Sequence, residues 1–95
     1  MEIVKTVKGD EATFKLSGWL DTQTSPELKE ALDELDENIE SLTLDCSELE
    51  YISSAGVRQV VAAHKKMSRL TIEHVAPEVM EVFKLTGIDK RLNIV

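Results

Sequence analysis

The sequence has a single cysteine, Cys46, so the chain cannot form an internal disulfide. An unpaired cysteine is typical of proteins in a reducing compartment. Nowhere do about 18 apolar residues follow one another, as a membrane-spanning helix would require. Residues 1–14 contain no apolar stretch long enough for a signal peptide. These absences lead us to expect a cytoplasmic protein without a membrane span.

Basic residues are also few. The chain has 11 Lys and Arg and 18 Asp and Glu, which gives a formal net charge of −7. Binding to nucleic acid or to an anionic membrane needs a basic surface, so we expect neither partner. The acidic excess is concentrated in residues 21–50, where eleven acidic residues and one basic residue give a net charge of −10. This acidic block is either a solvated helix face that aids solubility or a surface that meets a basic partner.

Motifs of known catalytic sites are missing. The sequence has no G-x-S-x-G, no phosphate-binding glycine loop, no H-E-x-x-H and no C-x-x-C. His64 lies on the apolar side of a predicted helix and His74 lies late in a predicted strand, without metal-ligand spacing to Cys46. We therefore predict no enzymatic activity, no metal site and no cofactor, and we expect Cys46 to fill a gap in the core.

Strand and helix patterns alternate along the 95 residues, which is the length of one domain. Strands are predicted at residues 1–7, 12–18, 39–46, 69–75 and 91–95, with a hairpin turn at Gly9 and Asp10. Helices are predicted at residues 25–37, with Ser25 as the cap, at residues 53–67, and from Pro77 to a stop at Gly87. The order β-β-α-β-α-β-α(-β) predicts an α/β domain with a mixed four- to five-stranded sheet and three or more helices.

The densest feature is DCSELEYISSAG, residues 45–56. We expect this segment to run from the end of a strand through a short loop into the first turn of a helix. A serine at a helix N-terminus can cap free backbone N–H groups, which alone would explain Ser53 or Ser54. Gly56 early in a helix costs up to about 1 kcal/mol relative to alanine, which indicates close packing or a need for access at the helix start.

These segments resemble a stand-alone STAS domain of the bacterial anti-sigma factor antagonist family. The resemblance is carried by LSGWLD at residues 16–21, LTLDCSELEYISSAGVRQVV at residues 42–61 and FKLTGIDKRLNI at residues 83–94. Because these segments span nearly the whole chain, residues 1–95 are expected to form one STAS domain.

The resemblance implies a protein-binding switch and not an enzyme. In this family an anti-sigma factor that is also a serine kinase phosphorylates one serine at the start of the second helix. The unphosphorylated form captures the anti-sigma factor and frees a sigma factor for transcription, and a serine phosphatase resets the switch. The family's order of acidic residue, phosphorylated serine, small residue and glycine corresponds here to Ser53, Ser54, Ala55 and Gly56.

The resemblance makes Ser54 the expected phosphorylation site. Ser53 stands where the family has an aspartate, and it is the alternative acceptor. The expected partner-binding residues are Asp21, Ser53, Ser54, Ala55, Gly56 and Arg58. A second function stays open, namely a STAS subunit of another complex, in lipid trafficking or a sensory assembly, that works without phosphorylation. A third, a small enzyme or ligand-binding domain, would need a pocket and titratable groups with shifted pKa values.

Overall fold

The computed structural model describes residues 1–67 and 69–95, and within these the chain forms a five-stranded mixed sheet, three α-helices and a short 3-10 helix. The strands are β1 (Glu2–Lys8), β2 (Glu11–Leu20), β3 (Ser41–Ile52), β4 (Arg69–Glu73) and β5 (Asn93–Ile94). The helices are α1 (Ser25–Asp33), α2 (Ser54–Lys66) and α3 (Pro77–Thr86). The element order and the α/β class predicted from the sequence are confirmed.

The strands follow one another across the sheet in the order in which they occur along the chain. β1 and β2 form the predicted antiparallel hairpin, in which Gly9 has a φ of 65° that glycine adopts at little cost. Every later strand is parallel to its neighbour. The connections between the parallel strands are right-handed, and each leads to the next strand in the same direction across the sheet. For this reason α1, α2 and α3 lie on the same face. The carboxyl ends of β2 and β3 therefore lie together at one edge, whereas β4 ends beside Asp45, seven residues before the end of β3.

The core lies between this face and the helices. Phe14, Leu44 and Ile72 are register partners on β2, β3 and β4, and all three are fully buried. The helices add apolar residues to the same cluster: Leu28, Ala31 and Leu32 from α1, Val57, Val60 and Ala63 from α2, and Val79 and Phe83 from α3. The strand residues between the buried ones, such as Thr13 and Thr43, stay partly exposed. The second face of the sheet is therefore open to solvent.

The ends of α1 differ from the sequence-based prediction. The predicted cap, Ser25, is instead the first helical residue, and Thr24 occupies the N-cap position. Ser25 is buried and its hydroxyl donates to the carbonyl oxygen of Asp21 at 2.5 Å, so it is not available as a cap. The helix ends at Asp33 and not at residue 37. The N–H of Leu35 donates to the carbonyl oxygen of Leu32 at 3.2 Å, only three residues back, and the Asp36 carboxylate then accepts the N–H of Asn38 in a turn.

β3 is longer than predicted and continues to Ile52, so the short loop expected before α2 is replaced by strand. The strand contains two β-bulges, one between Asp45 and Glu48 and one between Leu49 and Tyr51, where β3 has one residue more than β2. Each bulge places two exposed residues in succession. The regular alternation of a strand is thereby interrupted, which gives the segment the appearance of a loop in the sequence.

Cys46 lies in the core with 2% of its surface exposed, as expected from the sequence. Burial raises the pKa of its thiol to about 12, so the thiol stays protonated at neutral pH and is a poor nucleophile. We expect the native chain to resist alkylation by iodoacetamide under conditions in which the urea-unfolded chain reacts completely, as measured by intact mass. Equally fast alkylation of the native and unfolded chains would contradict this.

Candidate functional site

The predicted site residues lie where β2 and β3 end and α2 begins. The N–H of Ser53 donates to the carbonyl oxygen of Leu20 at 2.9 Å, which ties the end of β3 to the end of β2. Asp21 directly follows Leu20, so the loop after β2 and the serine motif of residues 53–56 are adjacent. Arg58 lies in the next turn of α2. The structure therefore brings the predicted partner-binding residues to one edge of the domain.

Ser53 caps α2. Its backbone is extended, with φ −99° and ψ 176°, and its Oγ accepts the N–H of Gly56 at 3.3 Å. Its carbonyl oxygen accepts the N–H of Val57 at 2.9 Å, the first intrahelical hydrogen bond. Serine and aspartate are about equally effective N-caps, so Ser53 retains the helix start that an aspartate would give.

Ser54 is the first residue of α2 and its side chain is exposed. The free N–H groups and the dipole of a helix N-terminus favour negative charge there, and the first turn of α2 carries no acidic side chain. Arg58 is also exposed and lies four residues on, on the same side of the helix as Ser54. Of the two serines, Ser54 has the hydroxyl that solvent reaches more freely, whereas Ser53 is half-buried and engaged in the cap.

Gly56 lies where α2 packs against the end of β2. A Cβ atom at this position would be 2.5 Å from the carbonyl oxygen of Leu20 and 2.8 Å from Cγ1 of Ile52. Atoms separated by these distances overlap. Of the two interpretations of this glycine, close packing is thus the one that the structure confirms. The missing side chain lets α2 begin directly against the strand, and this packing fixes the position of Ser54.

Asp21 builds the loop in which it lies. Its Oδ1 accepts the N–H groups of Gln23 at 3.0 Å and Thr24 at 3.1 Å, and its own N–H donates to Oγ1 of Thr24 at 2.9 Å. The N–H of Thr24, followed by the Thr24 hydroxyl and the N–H of Gln23, lowers the pKa of Asp21. Asp21 is therefore an ionised residue that shapes the edge beside the serine motif.

Two exposed aromatic residues at this edge were not among the predicted site residues. Trp19 and Tyr51 are register partners on β2 and β3, and their ring centroids are 5.3 Å apart. Each directly precedes a buried residue that ends its strand, Leu20 or Ile52. Strand alternation applied to those two buried residues would have placed both rings on the open face of the sheet.

The two histidines lie away from the serine motif. His64 is half-buried on α2, and within the described residues its buried Nδ1 has no hydrogen-bond partner. His74 is exposed, and its φ of 58° ends β4 before the predicted residue 75. Its Nδ1 lies 3.2 Å from Oδ1 of Asp45. Donor atoms of Asp45, Glu73 and His74 lie within 4.8 Å of one another, an arrangement that surface ion pairs also produce.

A cavity of about 490 Å³ lies away from the candidate site. Thr43, His64 and Arg91 are among the residues that line it, and the serine motif does not contribute to its wall. None of the described helices is long and apolar enough to cross a membrane.

Comparison with known proteins identifies the family. The chain matches a family model described as "Mlab, STAS domain" over residues 3–95. No protein of curated function matches it in sequence. An anti-sigma factor antagonist from Mycobacterium paratuberculosis has a similar structure, with a TM-score of 0.88, 22% identity, and coverage of 98% of this chain and 83% of the other.

Two further solved structures share the fold. A sulfate transporter family protein from Wolinella succinogenes gives a TM-score of 0.78 at 16% identity, over 94% of this chain and 76% of the other. The Bacillus cell fate determinant SpoIIAA in its phosphorylated form gives a TM-score of 0.67 at 16% identity, over 99% of this chain and 91% of the other. At these identities the similarity establishes the fold.

Proposed function

Because the chain belongs to the STAS domain family, we propose that it is an anti-sigma factor antagonist, a protein-binding switch and not an enzyme. Residues 1–95 act as one STAS domain. In its unphosphorylated form the domain binds an anti-sigma factor that is also a serine kinase, and this binding releases a sigma factor for transcription. Phosphorylation of Ser54 ends the binding, and a serine phosphatase restores it. The similarity to an anti-sigma factor antagonist and to phosphorylated SpoIIAA supports this proposal.

The observation that carries the proposal is the exposed hydroxyl of Ser54 at the first position of α2. A phosphoryl group there adds about −1.5 to −2 charges. The helix N-terminus favours an anion, and Arg58 can pair with it at a spacing of four residues. Phosphorylation should therefore leave the fold intact and act at the surface. It does so through bulk, through the cost of desolvating the phosphate, or through repulsion from an acidic patch of the partner.

Incubation with an anti-sigma factor kinase and ATP, followed by intact mass measurement, tests the modification site. We expect the wild-type chain and the Ser53→Ala variant each to gain one phosphoryl group, and the Ser54→Ala variant to gain none. Stoichiometric phosphorylation of Ser54→Ala would move the site to Ser53. Absence of phosphorylation in every variant, with a kinase that binds the wild-type chain, would contradict the switch.

A STAS subunit that works without phosphorylation, for instance in lipid trafficking or a sensory assembly, is the second candidate. The matching family model, with its description "Mlab, STAS domain", and the serine at position 53 in place of the family's aspartate favour it. The phosphorylation assay distinguishes the two candidates. A chain of the second kind would bind its partner but would gain no phosphoryl group on Ser54 or Ser53.

A further inference from the structure

The aromatic pair beside the serine motif is highly exposed for side chains of this size. Trp19 keeps 57% and Tyr51 keeps 46% of its surface accessible. The rings pack against each other at an interplanar angle of 51°, a tilted arrangement in the range that favours aromatic contact. Paired strands hold both residues, so the two rings form a preformed apolar surface. Such a surface loses little conformational freedom when a partner binds.

Carboxylates accompany this pair on β3. Glu48 is the register partner of Ser17, which lies two positions before Trp19, and Glu50 lies in the bulge directly before Tyr51. Both glutamates are exposed, and within the described part of the chain neither has an ion-pair partner. Residues 16–24 and 46–56, which contain the ends of both strands, include no lysine, arginine or histidine. Lys15 and Arg58 lie just outside these segments and the N-terminal residue Met1 lies beside Gly18, but none of these groups forms an ion pair with Glu48 or Glu50 within the described residues.

We propose that Trp19, Tyr51, Glu48 and Glu50, here called the aromatic–acidic patch, bind an arginine- or lysine-bearing segment of the protein partner. A guanidinium or ammonium group over an aromatic face is attracted by the ring quadrupole. Carboxylates beside the ring accept its N–H groups in charge-assisted hydrogen bonds. Tryptophan and tyrosine are also the residue types that most often dominate the binding energy of protein interfaces.

The inference deepens the proposed function, on which it rests for the identity of the partner. The patch adjoins the serine motif, because Trp19 precedes Leu20, whose carbonyl oxygen accepts the N–H of Ser53. A basic partner segment would be attracted and not repelled by a phosphoryl group on Ser54. Bulk and desolvation, and not repulsion, are then the means by which phosphorylation ends the binding.

Two groups of carboxylates in the acidic block of residues 21–50 then have different roles. The carboxylates at the end of β3 contact the partner. Those on and after α1, including Glu30, Glu37 and Glu40, are exposed on other parts of the surface and keep the chain solvated.

Trp19 is the only tryptophan in the chain, so its fluorescence reports directly on the patch. An oligoarginine peptide serves as the probe, and we expect it to change the Trp19 emission of the wild-type chain. The Glu48→Lys/Glu50→Lys variant should bind the peptide at least about tenfold more weakly. Glu37→Lys/Glu40→Lys is the matched control, because it changes the net charge by the same amount away from the patch. It should weaken binding by less than about threefold.

Equal loss of affinity in the two charge-reversed variants would overturn the inference, since the peptide would then respond to net charge alone. The Tyr51→Leu variant keeps an apolar residue in the strand and removes the ring. It should lose affinity several-fold while keeping the far-ultraviolet circular dichroism spectrum of the folded wild-type chain, and full affinity in this variant would also count against the patch.

Binding of the anti-sigma factor kinase separates this inference from the proposed function. If the kinase binds the wild-type chain and the Glu48→Lys/Glu50→Lys variant equally well, the patch is not the docking surface and the proposed function stands. If the kinase binds neither chain while the peptide result holds, the patch stands and the proposed function fails.

Discussion

Replacement of Gly56 by alanine should lower the free energy of unfolding by about 2 kcal/mol. Overpacking in a close-packed site typically costs about 1–3 kcal/mol. The added Cβ would overlap a main-chain oxygen, that of Leu20, which cannot rotate away as a side chain can. Alanine regains about 1 kcal/mol of helix propensity, which offsets only part of this cost. We therefore expect a packing cost near the upper end of about 1–3 kcal/mol, which leaves the net loss at about 2 kcal/mol. Urea unfolding monitored by circular dichroism measures the free energy of unfolding of both chains.

Ala62→Gly is the control for this prediction. Ala62 is an exposed residue within α2, so its replacement by glycine measures the propensity difference without any packing contribution. We expect a loss of about 1 kcal/mol for this variant. A Gly56→Ala chain that is as stable as the wild type would show that α2 can move away from β2, and the close packing would not constrain the site.

The Ser54→Asp variant should fold as the wild type does and bind the partner about 100-fold more weakly or worse. Stability is expected to change by less than about 0.5 kcal/mol, because Ser54 is exposed and a carboxylate at a helix N-terminus is favourable. Burial of an unpaired charge in an interface costs several kcal/mol, and about 2.8 kcal/mol already corresponds to a hundredfold change in affinity. Calorimetric titration with the anti-sigma factor kinase measures the affinity, and thermal unfolding measures the stability.

Two further substitutions identify the cause of this loss. Ser54→Asn has nearly the shape of Ser54→Asp without its charge, so retained binding in the asparagine variant assigns the effect to charge and desolvation. Loss of binding in both variants assigns it to bulk. Ser54→Ala should bind as the wild-type chain does. An aspartate variant that unfolds, or that binds with wild-type affinity, would contradict the proposed switch.

The position of the serine motif could be predicted from the sequence because local chemistry determines it. The helix predicted over residues 53–67 begins at Ser53, a residue type that caps helices, within one residue of the observed first position, Ser54. The mixed sheet likewise followed from the element order, since right-handed crossovers leave few alternatives. Family resemblance supplied the role of Ser54, which neither capping nor spacing could distinguish from that of a structural serine.

Features that depend on contacts between distant segments could not be predicted. The bulges of β3 depend on its register with β2, which the sequence of β3 alone does not contain. The close packing that requires a glycine at position 56 involves Leu20, which is more than thirty residues earlier in the chain. The pairing of Trp19 with Tyr51 likewise appeared only when the two strands were placed side by side.

The two bulges of β3 also make the length of this strand adjustable. Cys46 and Ser47 together oppose a single residue of β2, and Glu50 has no counterpart there. Loss of Ser47 or Glu50 would leave the residues on either side paired as before, with Leu49 and Ile52 still facing inward. Loss of a residue from a regular part of a strand would instead turn all the following side chains to the opposite face. Chains with this fold can thus differ in length by one or two residues at the end of β3 while α2 begins at the same place against the sheet.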